Sequence, residues 1–385
     1  MVRRVAWLVW LILPVAPLGL SAQSPAQSKV DWAKIAELVV SRSLKVGPGE
    51  RVVLFWDQAS DRGAAPALRA AITGQGAVVS AELSAPTQAD LEAVRRLPPN
   101  LQTVQKSRRD SIWAHAFQTA DAAIWLPTPM SGLTDRPFEH LVERSRVRSV
   151  HFHWFLPPDS ADVPKIDAIY AAAIAVPPER LAARIQAVAA LVKGAAITIT
   201  APNGTDLKLK VSPTAWIHRN TGDASRAKIA GGRSIRDREE ELPASVFRTT
   251  DLTAAEGTIV GHVSFDRRSG VLAVTFKGGK VVKLESRQGA DAVVTTWLKA
   301  TGNKDLPGEL VIGTNPELPA TLPSGFMPYY GYGAGVVRLA FGDNWESGGR
   351  NRSSNGEVLL FLPDATLTAN GKPVVKDGKL VVGPR

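Results

Sequence analysis

The last third of the chain gathers the side chains that could act on a substrate. Glu309, Asp343, Glu346 and Glu357 supply carboxylates and Arg338 a fixed positive charge, while Tyr329, Tyr330 and Tyr332 place three of the four tyrosines within four positions. Tyr330, Tyr332, Asp343 and Glu346 around Arg338 would line a cleft for a peptide or small-molecule substrate. The same residues also suit a set of turns with aromatic packing, and the sequence leaves both readings open. An oxygen-only metal site drawn from Glu309, Asp343, Glu346, Asn355 and Glu357 would favour Mg2+ or Ca2+ over zinc.

Histidine and cysteine usage narrows the chemistry further. The six histidines, at 115, 140, 151, 153, 218 and 262, all lie before residue 263, and there is no cysteine. Disulfides, thiolate zinc, iron–sulfur clusters and a cysteine nucleophile are thereby excluded. His151 and His153 fall on one face of an expected strand and could hold a metal. No third ligand lies near them in sequence, so they read as the less apolar face opposite Val150, Phe152 and Trp154. No phosphate-binding loop, His-Glu-x-x-His or Gly-x-Ser-x-Gly occurs. The glycine-rich run 331–335 precedes an expected strand over 336–341 rather than a helix, which argues against a dinucleotide site.

The elements that must position these residues change character along the chain. Residues 31–176 alternate strands (51–55, 78–83, 122–126, 149–155) with helices, including 107–119, and so predict an α/β domain, a mostly parallel sheet with helices on both faces. A connecting helix is expected over 177–194. From 195 to 385 the pattern becomes short alternating strands (197–200, 207–211, 258–265, 271–276, 281–285) with one helix near 289–301, a β-rich α+β domain. Asn370-Gly371 and Asp377-Gly378 read as tight turns of a terminal hairpin.

The 385-residue chain is 44% hydrophobic and 21% charged, an ordinary globular composition. Its N-terminus has Arg3 and Arg4, an unbroken apolar run over 5–13, prolines at 14 and 17, and small residues before Gln23. That pattern reads as a signal peptide over residues 1–22, with export to a periplasm or beyond and no stable membrane insertion after cleavage. The net charge of +10 is scattered among acids, and no RNA-binding aromatic pattern appears, so nucleic acid is not an expected partner.

The second half also carries segments in a recognisable order: Asn203-Gly204-Thr205-Asp206, Glu241-Leu242-Pro243-Ala244-Ser245-Val246-Phe247, Gly257-Thr258-Ile259-Val260, Gly308-Glu309-Leu310-Val311-Ile312-Gly313-Thr314-Asn315-Pro316, the run 335–342, Gly348-Gly349-Arg350-Asn351-Arg352-Ser353, and the two terminal turns. With Leu44-Lys45-Val46-Gly47-Pro48-Gly49-Glu50-Arg51-Val52 near the start, the chain from about 31 onward resembles the thermophilic-type metallo-aminopeptidases, the aminopeptidase T family. The resemblance implies an α/β domain before a domain bearing two divalent metal ions, a hydrolase removing N-terminal residues from peptides, and a homodimer, although no interface pattern is visible in the chain. The family's ligands are two glutamates, two histidines and an aspartate, with a tyrosine close by.

Carried over by position, Glu309 matches the second glutamate. Val246 stands where the first glutamate would be and Arg338 where the first histidine would be, while the closing His-x-Asp falls near Asn355-Gly356-Glu357. Glu309 and Glu357 are thus the candidate catalytic and metal residues, and the usual two-metal site looks degenerate. A guanidinium at 338 would repel a cation and could instead pair with Glu309 or Glu357. Two functions follow: an exported aminopeptidase-like enzyme using a divalent metal if active, or a non-catalytic homologue that binds peptides or another small ligand in the former cleft.

Overall fold

The computed structural model describes residues 30–56, 63–86, 88–126, 137–152, 154, 161–232, 234–243, 245–264, 267 and 270–384. The proposed signal peptide lies outside them. Among the described residues no helix is long and apolar enough to cross a membrane.

Four strands of the first half and one from further along the chain form one parallel sheet, ordered Val78–Ser84, Arg51–Trp56, Ala122–Trp125, Arg148–Phe152 and finally Glu239–Leu242. Strand alternation divides its apolar side chains between two cores. Val52, Leu54, Ile124, Val150 and Phe152 pack with Ile35, Val39, Leu68, Ile72, Ile166 and Tyr170, from the helices Trp32–Glu37, Leu38–Leu44, Ala64–Gly74 and Val163–Ala175. Val53, Phe55, Ala123 and Trp125 pack with Trp113, Phe117, Leu141 and Val142, from Pro99–Gln118 and Pro137–Glu143. The first half is therefore an α/β unit with helices on both faces. Pro99–Gln118 starts earlier than the helix expected at 107 because its polar first half shows no apolar period, while Pro99 suits a first helical turn.

The second sheet is antiparallel and, among the described residues, has 13 strands. Helix Pro178–Val192 buries Ile185, Val188 and Val192 among Ile197, Ile199, Leu310, Ile312, Val337, Leu339 and Leu360 on one face. The two terminal turns take two-residue form: Ala369 pairs with Lys372 and Lys376 with Lys379. Their central residues have positive φ, 49° and 77° at Asn370 and Gly371, and 49° and 71° at Asp377 and Gly378, as tight hairpins require.

One segment crosses between the two sheets. Glu239–Leu242 completes the parallel sheet beside Arg148–Phe152, and Val246–Thr249 then enters the antiparallel sheet. Three consecutive glutamates are thereby carried into the space between them.

Candidate functional site

Period-2 alternation places four charged residues on the antiparallel face turned toward the first unit. Leu310, Val337, Leu339, Leu360 and Phe247 belong to the core on the opposite face, whereas Val246, Val311, Ala340, Leu359 and Phe361 belong to the core shared with the first unit. Arg248, Glu309, Arg338 and Glu357 fall in step with this second set, on the neighbouring strands Val246–Thr249, Pro307–Gly313, Val337–Gly342 and Glu357–Leu362. The crossing segment faces them with Glu239 and Glu241, preceded by Arg236.

These groups form a buried guanidinium–carboxylate network. Arg338 hydrogen-bonds through Nη2 to Glu309 Oε1, and Ser347 Oγ donates to Glu309 Oε2 at 2.8 Å. Arg248 Nη2 donates to Glu241 Oε2 at 3.2 Å and to the Tyr332 hydroxyl at 2.6 Å, and that hydroxyl donates to Glu241 Oε1 at 2.9 Å. Arg236 Nη1 reaches Glu239 at 3.0 Å and Glu241 at 3.3 Å, and its Nη2 binds Glu346. His151 Nδ1 lies 3.0 Å from Glu239 Oε1. Arg248, Glu239 and Glu241 are 1% exposed, Glu309 2% and Arg338 3%, so each charge depends on its partners rather than on water.

The electrostatics follow from that burial. Desolvation pushes Glu309 toward neutrality, but the charges of Arg338 and then Arg248 outweigh it and hold the carboxyl at about 2. For Glu357, burial and the neighbouring Glu309 charge act together and raise it well above the usual carboxylate range, against Arg338. The two neighbouring carboxyls are thus pushed in opposite directions, Glu309 down and Glu357 up. Burial also pushes the Tyr332 hydroxyl up to about 12, so it remains a donor to Glu241.

The loops secure this arrangement. Asn344 Nδ2 donates to Gly308 O and Asn351 Nδ2 to Pro307 O, both at 2.9 Å, tying the glycine-rich 348–353 segment to the strand of Glu309. Trp345 stacks on His140 with ring centroids 5.3 Å apart. A Cβ on Gly313 would lie 1.9 Å from Gly333 O, so the tyrosine-bearing loop can cross that strand only at a glycine.

Of the residues singled out from sequence, Glu309, Arg338, Tyr332 and Glu346 join the network directly, and Glu357 sits beside it. Tyr330 is 5% exposed and stacks on Tyr332, with centroids 5.9 Å apart. Asp343 accepts from the backbone N–H of Trp345 at 3.1 Å and Ser353 at 3.4 Å, which makes it a loop-holding group. Asn355 accepts from Ser353 Oγ. Val246 is fully buried in the apolar core. His153 lies outside the described residues, and His151 partners Glu239. Sequence reasoning missed Arg236, Arg248, Glu239, Glu241 and Ser347. The one available signal was the charged run 236–241 immediately before Leu242-Pro243, a motif whose significance was assigned to its far end.

These residues do not fit the two-metal centre implied by the resemblance. Glu309 already binds a guanidinium and a hydroxyl, Arg338 brings a positive charge where a cation would need a lone pair, and Val246 has no ligand atom. The oxygen-only alternative is dispersed, since Asp343, Glu346 and Asn355 serve three different partners. Among the described residues no group of three or more His, Asp or Glu is placed to share a metal ion.

No family model matches the chain, and no curated protein does. Two solved structures share its fold. Wild-type AmpT from Thermus thermophilus matches with TM-score 0.64 and 15% identity over 91% of this chain and 99% of its own. A 2,5-dihydroxypyridine dioxygenase from Pseudomonas putida KT2440 matches with TM-score 0.60 and 15% identity over 91% and 96%. At such identity the likeness is one of fold, and these two carriers of the fold bear names from different reaction classes.

Proposed function

We propose that the protein is an exported, metal-independent member of the aminopeptidase T-like group that binds a peptide or another small ligand rather than cleaving it through a two-metal centre. The pairing of Arg338 with Glu309 carries this reading. The one glutamate that matches the metallo-aminopeptidase motif outright has a guanidinium as its counter-ion, and Arg248 and Arg236 neutralise the adjacent acids in the same way. A fixed charge keeps such a site closed and ordered without a cation, but it supplies no exchangeable position at which a water could be activated. Export rests on the pattern of residues 1–22.

A second reading keeps hydrolysis, with Glu309 and Glu357 as the acid/base pair. It is favoured by the opposite directions in which Glu309 and Glu357 are pushed, Glu309 down by Arg338 and Arg248 and Glu357 up by burial and the Glu309 charge.

The purified mature protein should be incubated with Zn2+, Co2+, Mn2+ or Mg2+, analysed for bound metal and assayed on a panel of amino-acid amides with and without chelator. The expected result is no stoichiometric metal and no turnover. Turnover that survives chelation and is lost in Glu357→Gln would select the second reading. Stoichiometric metal with chelator-sensitive turnover would overturn both.

A further inference from the structure

Four atoms without a hydrogen-bond partner collect on the strand pair His218–Asn220 and Val246–Thr249; one of them, Arg248 Nε, lies 3.5 Å from Glu309 Oε2 as an ion pair, which leaves three without any partner among the described residues. His218 lies directly opposite Arg248 in the antiparallel register, and Asn220 opposite Val246, so the side chains of His218, Asn220 and Arg248 share one face. They are 3%, 0% and 1% exposed. His218 Nε2, Asn220 Oδ1 and Arg248 Nη1 have no hydrogen-bond partner among the described residues.

The donor and acceptor character of each atom follows from the bonds its residue does make. Asp237 receives the Ser234 N–H at 3.0 Å, the Ser234 hydroxyl at 3.1 Å and the Trp216 indole N–H at 3.3 Å, so it is held as an accepting carboxylate. His218 Nδ1, 3.0 Å from Asp237 Oδ1, must therefore carry the ring proton and donate it. That leaves Nε2 with a lone pair. Asn220 Nδ2 faces the Glu241 carbonyl at 3.2 Å and the Glu241 carboxylate at 3.4 Å, both acceptors, which fixes the amide and leaves Oδ1 as an acceptor. Arg248 Nη1 can only donate. Two acceptors and a donor, all buried, thus lie on one face of the strand pair, where an unsatisfied polar group is costly.

We propose that His218 Nε2, Asn220 Oδ1 and Arg248 Nη1 form an interior binding site for a small neutral molecule that both donates and accepts hydrogen bonds, a water or the hydroxyl or amide of a compact ligand. The site excludes cations, because Arg248 lines it. It also disfavours anions, because two of its three groups present lone pairs. The proposal does not depend on the metal-free reading, since none of its three atoms belongs to the positions matched to metal ligands.

Nitrogen-15 NMR of the full mature chain labelled in histidine tests it directly. His218 is assigned by loss of its signals in His218→Gln. The expected spectrum shows a protonated Nδ1 and an unprotonated Nε2 displaced from the bare imidazole position by an accepted hydrogen bond, with a ring-proton NOE either to a long-lived water or to a copurified small molecule. These two arms distinguish the occupant. In Asn220→Leu the Nε2 signal should move toward the bare position. A protonated Nε2, a bare Nε2 in the native protein, or hydrogen-bond coupling from Nε2 to the Arg248 guanidinium would each overturn the proposal, the last because the protein would then close the gap itself.

Discussion

Replacing Arg338 with Met tests whether a fixed positive charge holds the centre together. Met keeps length and apolar volume but leaves Glu309 buried at 2% exposure, with the Ser347 hydroxyl as its direct partner and Arg248 Nε only at 3.5 Å. Removing one member of a buried ion pair typically costs about 3–5 kcal/mol. An independent figure comes from proton linkage: a carboxyl held at about 2 instead of its usual ~4.3 contributes roughly 3 kcal/mol at neutral pH. Because the folded-state value is depressed, this contribution is complete above about pH 4.3 and is lost as the pH falls toward 2. Urea unfolding at pH 7 should therefore show Arg338→Met less stable by about 3–5 kcal/mol, with a flatter stability profile than the wild type between about pH 4 and pH 2. The double variant Arg338→Met/Glu309→Leu should recover most of the loss, since apolar residues of similar volume replace buried ion pairs at little cost. A single variant within about 1 kcal/mol of wild type, with an unchanged acid profile, would refute the reasoning.

Three further outcomes follow from the same geometry. Tyr332→Phe removes the hydroxyl shared by Arg248 and Glu241 and should lower stability by roughly 1–3 kcal/mol in thermal or urea unfolding. His218, depressed to about 4 by burial against the raising effect of its bond to Asp237, with Arg248 and Lys228 also lowering it, should destabilise the fold as the pH drops from about 6.5 to about 4, where the unfolded chain binds the proton first; His218→Gln should flatten that window and leave the one below it intact. Arg338→His combined with Val246→Glu should give calorimetrically measurable Zn2+ binding absent from the parent, and unchanged binding would break the positional correspondence with the metallo-aminopeptidases.

The fold was largely legible because its signals are local. Runs such as 51–55 and 122–126 are short and largely apolar, lie between helices and form parallel strands at those places. The terminal Asn-Gly and Asp-Gly pairs specified hairpin turns by the one backbone conformation they favour. The strand Glu239–Leu242 was not legible, since three consecutive glutamates describe a solvated segment on any local scale. Only the partners that meet them inside the protein allow their burial: basic side chains at positions 228, 236 and 248, and the His151 ring.

The way those three glutamates are satisfied also bears on the role of Glu309. Strand alternation sends Glu239 and Glu241 to one side, where His151, Arg236 and Arg248 receive them, and Glu240 to the other, where it pairs with Lys228 and accepts the Gly222 N–H at 2.6 Å. No member can be lost without leaving a partner buried and uncompensated. Arg248 and Arg338 are subject to the same condition, and Glu309 contacts both. A glutamate at this position is therefore no evidence for a metal. In a centre whose positive charge comes from arginine, Glu309 is required as the counter-ion of Arg338 and Arg248.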